Sequence, residues 1–303
     1  GAPMRVMPGL PAPPARGGGG PAQAAAETGL LEGTPVFCGC ADGAAASIGA
    51  GIAQRGQGYI SLGTSAWISY FDDAMYLDPQ QRTFNMAGMA KHDVYPLGVM
   101  QAAGSSYSWM RDQLCGAERC KAQAQGGSIY DAINRQIAET PVGANGVLFL
   151  PYLMGERSPW WDANARGAFL GLKQETAHAD LLRAVMEGVA MNLALILQVF
   201  REKYPFETLR IIGAAAREPV WRQVLADVLN VRIEQLNLLE EGCSLGAVMT
   251  AGIGAGVLPG PAAIDRFLRV EQITEPCPDH AEQYAALLPR FADAYTRLRG
   301  FSY

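Results

Sequence analysis

Short apolar runs with the length of buried strands alternate along this chain with longer segments of helical periodicity. Apolar residues recur at i, i+4 and then i+3 spacing from about residue 178 to 203, which predicts a long helix that ends before Pro205. The runs at 146–153 and 209–213 have the length and composition of buried strands. Alternating strands and helices are typical of α/β proteins, since each helix covers one face of a sheet. We therefore predict an α/β fold with a mixed sheet flanked by helices.

The other elements are predicted from periodicity, capping residues and chain breakers. A short buried strand is expected at 35–39, and two strands are expected within 58–71 on either side of a small-residue turn. Residues 1–23 are rich in Pro and Gly, so we expect an irregular lead-in or interdomain remnant there and one domain from 24 to 303. Helices are expected at 45–54, 105–115, 128–140, 219–229 and 244–257, and in a C-terminal tail interrupted by Pro289.

Composition excludes several classes of protein. The chain has 303 residues, enough for two layered subdomains, and a net charge of -5 with no basic patch, which argues against nucleic acid as a partner. No signal peptide is visible, and the most apolar stretch, 184–200, carries Glu187, Asn192 and Gln198 and is too short and polar for a membrane span. We expect a cytoplasmic protein without a membrane partner. The chain begins with Gly, which is compatible with a fragment.

The cysteines do not indicate a metal site. The six cysteines form no C-x-x-C pair, and the three histidines are far apart in the sequence. Reduced thiols in a cytoplasmic protein are the expected state, and no metal ligands are predicted.

Two turns of small residues follow predicted strands. Gly63-Thr64-Ser65 follows "YISL", and Gly213-Ala214-Ala215-Ala216 follows "LRII" and leads into a helix. Backbone amides with little side-chain bulk can approach phosphate oxygens, and the start of a helix adds a favourable dipole. Each turn is also compatible with a purely structural role. The Walker pattern GxxxxGK is absent from the sequence, which excludes a P-loop.

Asp42 stands in "GCADG", after a predicted strand and before small residues. One interpretation is an N-cap of the following helix, for which Asp is a preferred residue. The other is a carboxylate that takes a proton from a substrate hydroxyl, or works with a metal beside ATP phosphates. The residues alone leave both interpretations open.

Together these segments resemble the FGGY carbohydrate kinases of the actin-like ATPase superfamily, which have ribonuclease H-like domains. "GAFLGLKQETAHADLLRAVME" (167–187) is similar to a signature of that family, and "ISLGTS" resembles its second phosphate loop. "LPYLMGERSPWWDANARG" (150–167) is most similar to the xylulokinase-like branch, and "IIGAAAREPVWRQVLADVL" (211–229) to the adenosine loop. The resemblance runs from about residue 24 to about 300 and covers only the C-terminal domain of the family.

The resemblance implies an ATP-dependent sugar kinase that uses Mg²⁺ and phosphorylates a ketopentose or polyol such as xylulose. Asp42 matches the catalytic base of the family. The residues that match its ATP-binding positions are Gly63, Thr64, Ser65, Gly104, Ser108, Gly213, Ala214, Ala215 and Glu218.

Three departures from the family pattern bear on activity. The family's N-terminal domain, which carries most sugar contacts, is absent here, so we expect it as a missing partner and expect the isolated chain to be inactive. Alanines replace glycines at 214 and 215, and Glu218 and Gly43 replace the family's Ser or Asn and its Gln, so weaker ATP binding is expected. The alternative is a stand-alone or degenerate nucleotide-binding module without kinase activity. A homodimer is also compatible with the family.

Overall fold

The computed structural model describes residues 15–89 and 92–301. The strands are β1 Arg16–Gly19, β2 Pro35–Phe37, β3 Gly58–Leu62, β4 Ala66–Tyr70, β5 Phe84–Ala87, β6 Val94–Met100, β7 Leu148–Leu150, β8 Ala168–Leu170, β9 Thr208–Ile212, β10 Arg232–Leu236 and β11 Val270–Thr274. The α-helices are α1 Ala22–Thr28, α2 Asp42–Gly49, α3 Gly104–Gln113, α4 Gly116–Gln125, α5 Ile129–Glu139, α6 His178–Arg201, α7 Pro219–Leu229, α8 Gly242–Gly254 and α9 Pro278–Leu298. Short 3-10 helices lie at Ala144–Gly146, Ala214–Arg217 and Pro261–Arg266.

A seven-stranded sheet in the order β11-β10-β9-β3-β4-β6-β5 forms the centre of the molecule. β3 pairs in parallel with β9, and β9 pairs in parallel with β10, whereas the outer pairs are antiparallel. The predicted mixed sheet flanked by helices is therefore confirmed. Because parallel strands end at the same edge, the turns that leave β3 and β9 lie next to each other.

Helices cover both faces of this sheet, and the alternation of side chains along β3 separates two cores. Tyr59 packs with Ile48 of α2 and Met249 of α8, while Ile60 and Leu62 pack with the side chains of α6 and α7. Such a three-layer arrangement buries both faces of the central strands β3, β4 and β6, which explains why these three strands are mostly apolar rather than alternating.

The long helix α6 is the core helix of the larger layer. It spans 24 residues, close to the predicted 178–203, and it ends before Pro205 as predicted. Among the described helices, α6 is the one with the length and mean hydropathy of a membrane span, but 89% of that window is buried inside the protein. α6 is therefore a core helix, buried against the sheet of the same protein.

Backbone contact between small residues joins α2 to α8 on the other face. A Cβ on Gly49 would lie 1.9 Å from the carbonyl oxygen of Gly242, and a Cβ on Gly246 would lie 2.0 Å from that of Ala45. The two helices therefore touch through their main chains, and no larger side chain fits between them.

The N-terminal part differs from expectation. Residues 16–19 form β1, which pairs antiparallel with β2, so the prediction of irregular structure is wrong there, and residues 1–14 lie outside the described part. β2 is exposed or half-buried rather than buried, because its partner is this edge hairpin and not the central sheet. The helix predicted at 45–54 begins earlier, at Asp42.

The prediction that Pro289 interrupts the C-terminal helix is also wrong. α9 continues through Pro289, which is exposed on its solvent side. The carbonyl that loses its amide partner, that of Ala285, belongs to an exposed residue, so water can replace the lost hydrogen bond. Buried residues on the opposite side, from Ala281 to Tyr295, hold the helix against the core.

Candidate functional site

The two small-residue turns meet at the carboxyl edge of the parallel strands. Gly63-Thr64-Ser65 links β3 to β4, and Gly63 and Thr64 are exposed there. Gly213 leaves β9 with a φ of 102°, and its N–H donates to the carbonyl of Leu239 at 2.7 Å. A Cβ on Gly213 would lie 2.3 Å from the carbonyl oxygen of Leu62, so glycine is required for the close approach of the two strand ends.

The start of α3 shapes the first turn. The amide of Gly104 donates to the carbonyl of Gly63 at 2.9 Å, and the amides of Ala103 and Ser105 donate to the carbonyl of Thr64 at 3.1 and 3.0 Å. The contact is so close that a Cβ on Gly104 would lie 2.4 Å from the carbonyl oxygen of Gly63. The turn is therefore held by backbone hydrogen bonds, while its outer side stays open.

A cavity of about 430 Å³ lies between these turns and the starts of α3 and α7. This volume is within the usual range for small-molecule sites. Its lining combines four segments that are far apart in the sequence: Leu62, Gly63, Thr64, Gly104, Tyr107, Ser108, Tyr130, Ala214, Ala215, Glu218 and Trp221. Seven of the nine residues assigned to ATP are among them, whereas Ser65 and Gly213 lie behind the lining.

One end of the cavity is aromatic, and the sequence did not predict it. Tyr107 stacks on Tyr130 with ring centroids 6.0 Å apart and lies 5.9 Å from the ring of Trp221. Burial raises the pKa of Tyr107 well above its ordinary value, so its hydroxyl is neutral and donates a hydrogen bond to Asn134 at 2.7 Å. In the sequence, these three aromatic residues are visible only as one aromatic side chain near the start of each of three helices. The fold brings them together.

Glu218 has a defined partner on this aromatic side. Its Oε2 accepts a hydrogen bond from Nδ2 of Asn134 at 2.7 Å, and the Oδ1 of the same amide accepts from Tyr107. The carboxylate is therefore aimed at the aromatic end and not at the Gly63 turn. This arrangement reduces the repulsion of phosphate that the sequence led us to expect.

The three alanines of the turn after β9 have different surroundings. Ala214 and Ala215 line the cavity, but Ala216 is completely buried and its methyl group packs in the core. Buried Arg222 fixes the loop, since its Nη1 donates to the carbonyls of Ala216 and Arg217 at 2.6 and 2.9 Å. Only two of the three methyl groups can therefore affect a ligand.

Asp42 does not line the cavity. It is the first residue of α2, Ala41 occupies the N-cap position, and neither makes a side-chain capping bond. The exposed Asp42 carboxylate accepts from the amide of Gly43 at 2.7 Å, and the Sγ of Cys243 at the start of α8 lies 3.6 Å from the Asp42 carbonyl oxygen. The N-cap interpretation is thus wrong, because Asp42 lies one residue inside α2, with its carboxylate exposed.

The glycine next to this acid leaves room for a side chain. A Cβ on Gly43 would meet only the flexible end of Met86, at 2.7 Å from its Cε. The glutamine of the family pattern could therefore be accommodated here by a rotation of that methionine side chain.

Comparison with known proteins supports this geometry. Residues 58–255 match the model of the C-terminal domain of the FGGY family of carbohydrate kinases. The chain is similar to the xylulose kinase of Bacillus subtilis, with 32% identity over 91% of this chain and 53% of that protein. It is also similar to the gluconokinase of B. subtilis, with 29% identity over 88% of this chain and 52% of that protein.

The fold agrees with this similarity. The crystal structure of xylulose kinase from Rhodospirillum rubrum superposes with a TM-score of 0.84 and 29% identity over 96% of this chain and 57% of that one. The predicted actin-like fold is therefore confirmed. The chain spans about half the length of the curated relatives it matches, 53% for the first of them. Because the family model covers most of the chain, including both turns and the cavity they enclose, this chain belongs to the FGGY family of carbohydrate kinases and represents its C-terminal domain.

Proposed function

We propose that residues 24–303 are the nucleotide-binding domain of an ATP-dependent sugar kinase. The reaction would transfer the γ-phosphoryl group of ATP to a hydroxyl of a ketopentose or polyol, xylulose-like in chemistry. The observation that carries this proposal is the single cavity that unites residues 62–64, 104–108 and 214–218 at the carboxyl edge of the parallel strands. Ligands of open α/β sheets bind at this edge, where helix starts and bare turns offer backbone donors. The relatives named xylulose kinase and gluconokinase support the substrate class.

The cavity suits the two halves of a nucleotide at its two ends. The aromatic cluster of Tyr107, Tyr130 and Trp221 is a stacking surface for a base, and Glu218 beside it is placed for a ribose hydroxyl. The exposed turn at Gly63 and Thr64 presents backbone and a hydroxyl to the phosphates. ATP therefore fits with adenosine against α7 and phosphates toward β3.

Mg²⁺ would enter as the counter-ion of the ATP phosphates. Among the described residues that line the cavity, Glu218 carries the one carboxylate, and it is bonded to Asn134 at the aromatic end. Magnesium in such sites is held by phosphate oxygens, water and one or two carboxylates. The lining thus provides no second carboxylate for the ion.

We assign Asp42 as the general base. The attacking sugar hydroxyl would lose its proton to this carboxylate while its oxygen bonds to the γ-phosphorus and ADP leaves. Its exposure at the tip of α2 suits a residue that faces substrate held by another domain. Catalysis would then require closure of that domain over the edge of the sheet, which aligns the two substrates and excludes water.

Calorimetric titration of the chain with MgATP tests the nucleotide site. One site is expected, and Ala214→Leu should lower the affinity at least about tenfold, because the larger side chain fills the cavity from an exposed position. Ala286→Leu, on the exposed side of α9, is the matched control and should bind as the parent chain does. Absence of any binding heat, or equal binding by both variants, contradicts the assignment.

A coupled ADP-release assay tests the reaction, with the sugar-binding domain supplied by fusion or in trans. Asp42→Asn should lower kcat by about 10²- to 10⁴-fold and leave ATP affinity unchanged. Asp265→Asn, another exposed acid, should keep full activity. Full activity in Asp42→Asn would sink the assignment of the base.

The second candidate is a nucleotide-binding module without kinase activity. The methyl groups of Ala214 and Ala215 in the cavity favour it, since they narrow the approach to the phosphates. ATP binding without phosphoryl transfer to any ketopentose, polyol or aldonate, with the second domain present, would select this alternative. A cytoplasmic location and a homodimer stay predictions.

A further inference from the structure

A second group of chemically active side chains lies where α4 and α6 begin. Cys115 occupies the N-cap position of α4, Glu118 is in its first turn, and His178 is the first residue of α6. One ligand atom from each lies within 4.8 Å of the others, and His178 Nδ1 is 3.4 Å from Glu118 Oε1. In the described part of the chain, this is the one such cluster of three.

Two polar atoms of this cluster have no partner in the protein. Glu118 Oε2 and His178 Nε2 are both inaccessible to solvent and have no hydrogen-bond partner. Glu118 is 9% exposed and Cys115 is fully buried. Buried polar atoms without partners are rare, because each one costs about 1–3 kcal/mol, and they indicate a missing ion or water.

The surroundings also have the features of a metal site. Nε2 of Gln136, from α5, donates to Glu118 Oε1 at 2.9 Å and orients the carboxylate, as outer-sphere partners of metal ligands do. The side chain of His178 is 37% exposed, which leaves one side open to solvent. An ion could therefore enter, and water could occupy a fourth position.

We propose that Cys115, Glu118 and His178 form a zinc site. Sulfur, oxygen and imidazole nitrogen are the ligands that Zn²⁺ takes, at bonds of about 2.0–2.3 Å, and a tetrahedral ion separates its ligand atoms by about 3.3–3.8 Å. The cluster therefore closes around an ion with side-chain shifts of about 1 Å. Three protein ligands and a water complete the tetrahedron.

Metal binding changes the charge of the cluster. Burial raises the pKa of the Cys115 thiol to about 11, so the thiol is protonated at neutral pH without an ion. Zinc replaces that proton: the S–H bond breaks, a Zn–S bond forms, and one proton is released to solvent. The thiolate and carboxylate then offset the charge of Zn²⁺.

The site differs from the pattern that was sought in the sequence. The local pair is Cys-x-x-Glu rather than Cys-x-x-Cys, and the third ligand comes from a later helix. Zinc would link the first turns of α4 and α6, and Gln136 of α5 would contact its ligand Glu118. Its expected role is therefore structural.

Titration of the 303-residue chain with Zn²⁺ against a competing chromophoric chelator tests the proposal. One equivalent should bind, Cys115→Ser should weaken this binding at least about 100-fold, and Glu118→Gln and His178→Gln at least about tenfold. Cys120→Ser is the matched control, since this exposed cysteine lies on the same helix, and it should bind as the parent chain does.

Cobalt substitution identifies the ligand atom. The Co²⁺ form should show thiolate-to-metal charge-transfer absorption that persists in Cys120→Ser and Cys243→Ser and disappears in Cys115→Ser. Zinc should also raise the Tm of the parent chain more than that of Glu118→Gln, whose amide keeps the packing. Parent-like binding in Cys115→Ser, an absorption that depends on Cys243, or the absence of one bound equivalent overturns the proposal.

Discussion

The turns after β3 and β9 use glycine for different reasons, although their strands pair side by side. A Cβ on Gly63 would meet only the carbonyl oxygen of Ser65, at 3.6 Å, which is an ordinary contact. A Cβ on Gly213 would meet the carbonyl oxygen of Leu62 at 2.3 Å, and its φ of 102° disfavours any other residue. The fold requires glycine at 213, whereas at 63 the space is left for something outside the chain.

Within one site, therefore, Gly213 serves the fold, whereas Gly63 leaves space for a ligand. The β9 turn is enclosed by Leu62, Leu239 and Arg222, which determine its shape from within. The β3 turn is held from behind by α3 and is exposed in front. Variants at the first should therefore change stability, and variants at the second should change ligand binding.

The largest effect is expected for Gly213→Ala. The new Cβ meets backbone and the residue must keep a positive φ, so the free energy of unfolding should fall by at least about 3 kcal/mol. Urea denaturation measures this change. Gly63→Ala is the matched control and should stay within about 0.5 kcal/mol of the parent. Equal losses in the two variants would remove the distinction between the turns.

A smaller effect is expected for Gly104→Ala, which acts on the β3 turn from behind. The Cβ would displace the Gly63 carbonyl, so we expect a stability loss of about 2 kcal/mol and an ATP affinity about tenfold lower. Denaturation and calorimetry give the two values. Gly116→Ala, at the first residue of α4, has nothing within 4 Å of its Cβ and should change neither. Unchanged ATP affinity in Gly104→Ala would show that the turn does not contact nucleotide.

The smallest effect is expected for the double variant Ala214→Gly/Ala215→Gly. Removing two methyl groups from the cavity should raise ATP affinity a few-fold, with a stability cost of about 1 kcal/mol from the added backbone freedom. Ala216→Gly should lose stability but leave affinity unchanged, because its methyl group is in the core. Calorimetry on both variants decides whether the alanines limit binding.

Local pattern was sufficient for most of the helices and for β3, β4 and β9 of the central sheet, whereas β5, β6, β10 and β11 were not predicted. The spacing of apolar residues in α6 and the small-residue turn between β3 and β4 are properties of consecutive residues, and both were predicted correctly. β1 was missed because a Gly-rich run has no strand signal and is ordered by pairing with β2. Pro289 was misread because its effect depends on which side of α9 faces water.

The candidate site, too, could be predicted only where its residues have a local signature in the sequence. The residues around the two turns could be named from the sequence, because bare turns after strands have a local signature. The aromatic end could not, since Tyr107, Tyr130 and Trp221 come from three helices that only the tertiary fold brings together. The Cys115, Glu118 and His178 cluster was missed for the same reason.

The main-chain contact between α2 and α8 limits how this protein can be redesigned or can evolve. Asp42 stands at the first residue of α2, whose distance from α8 is fixed by Gly49 and Gly246 rather than by adjustable side chains. A larger residue at either glycine would push α2 away from α8. Because the helix moves as a unit, the Asp42 carboxylate, two turns from Gly49, would shift with it. The exposed residues near Asp42 can therefore vary, whereas Gly49 and Gly246 between the two helices leave no room for a larger side chain.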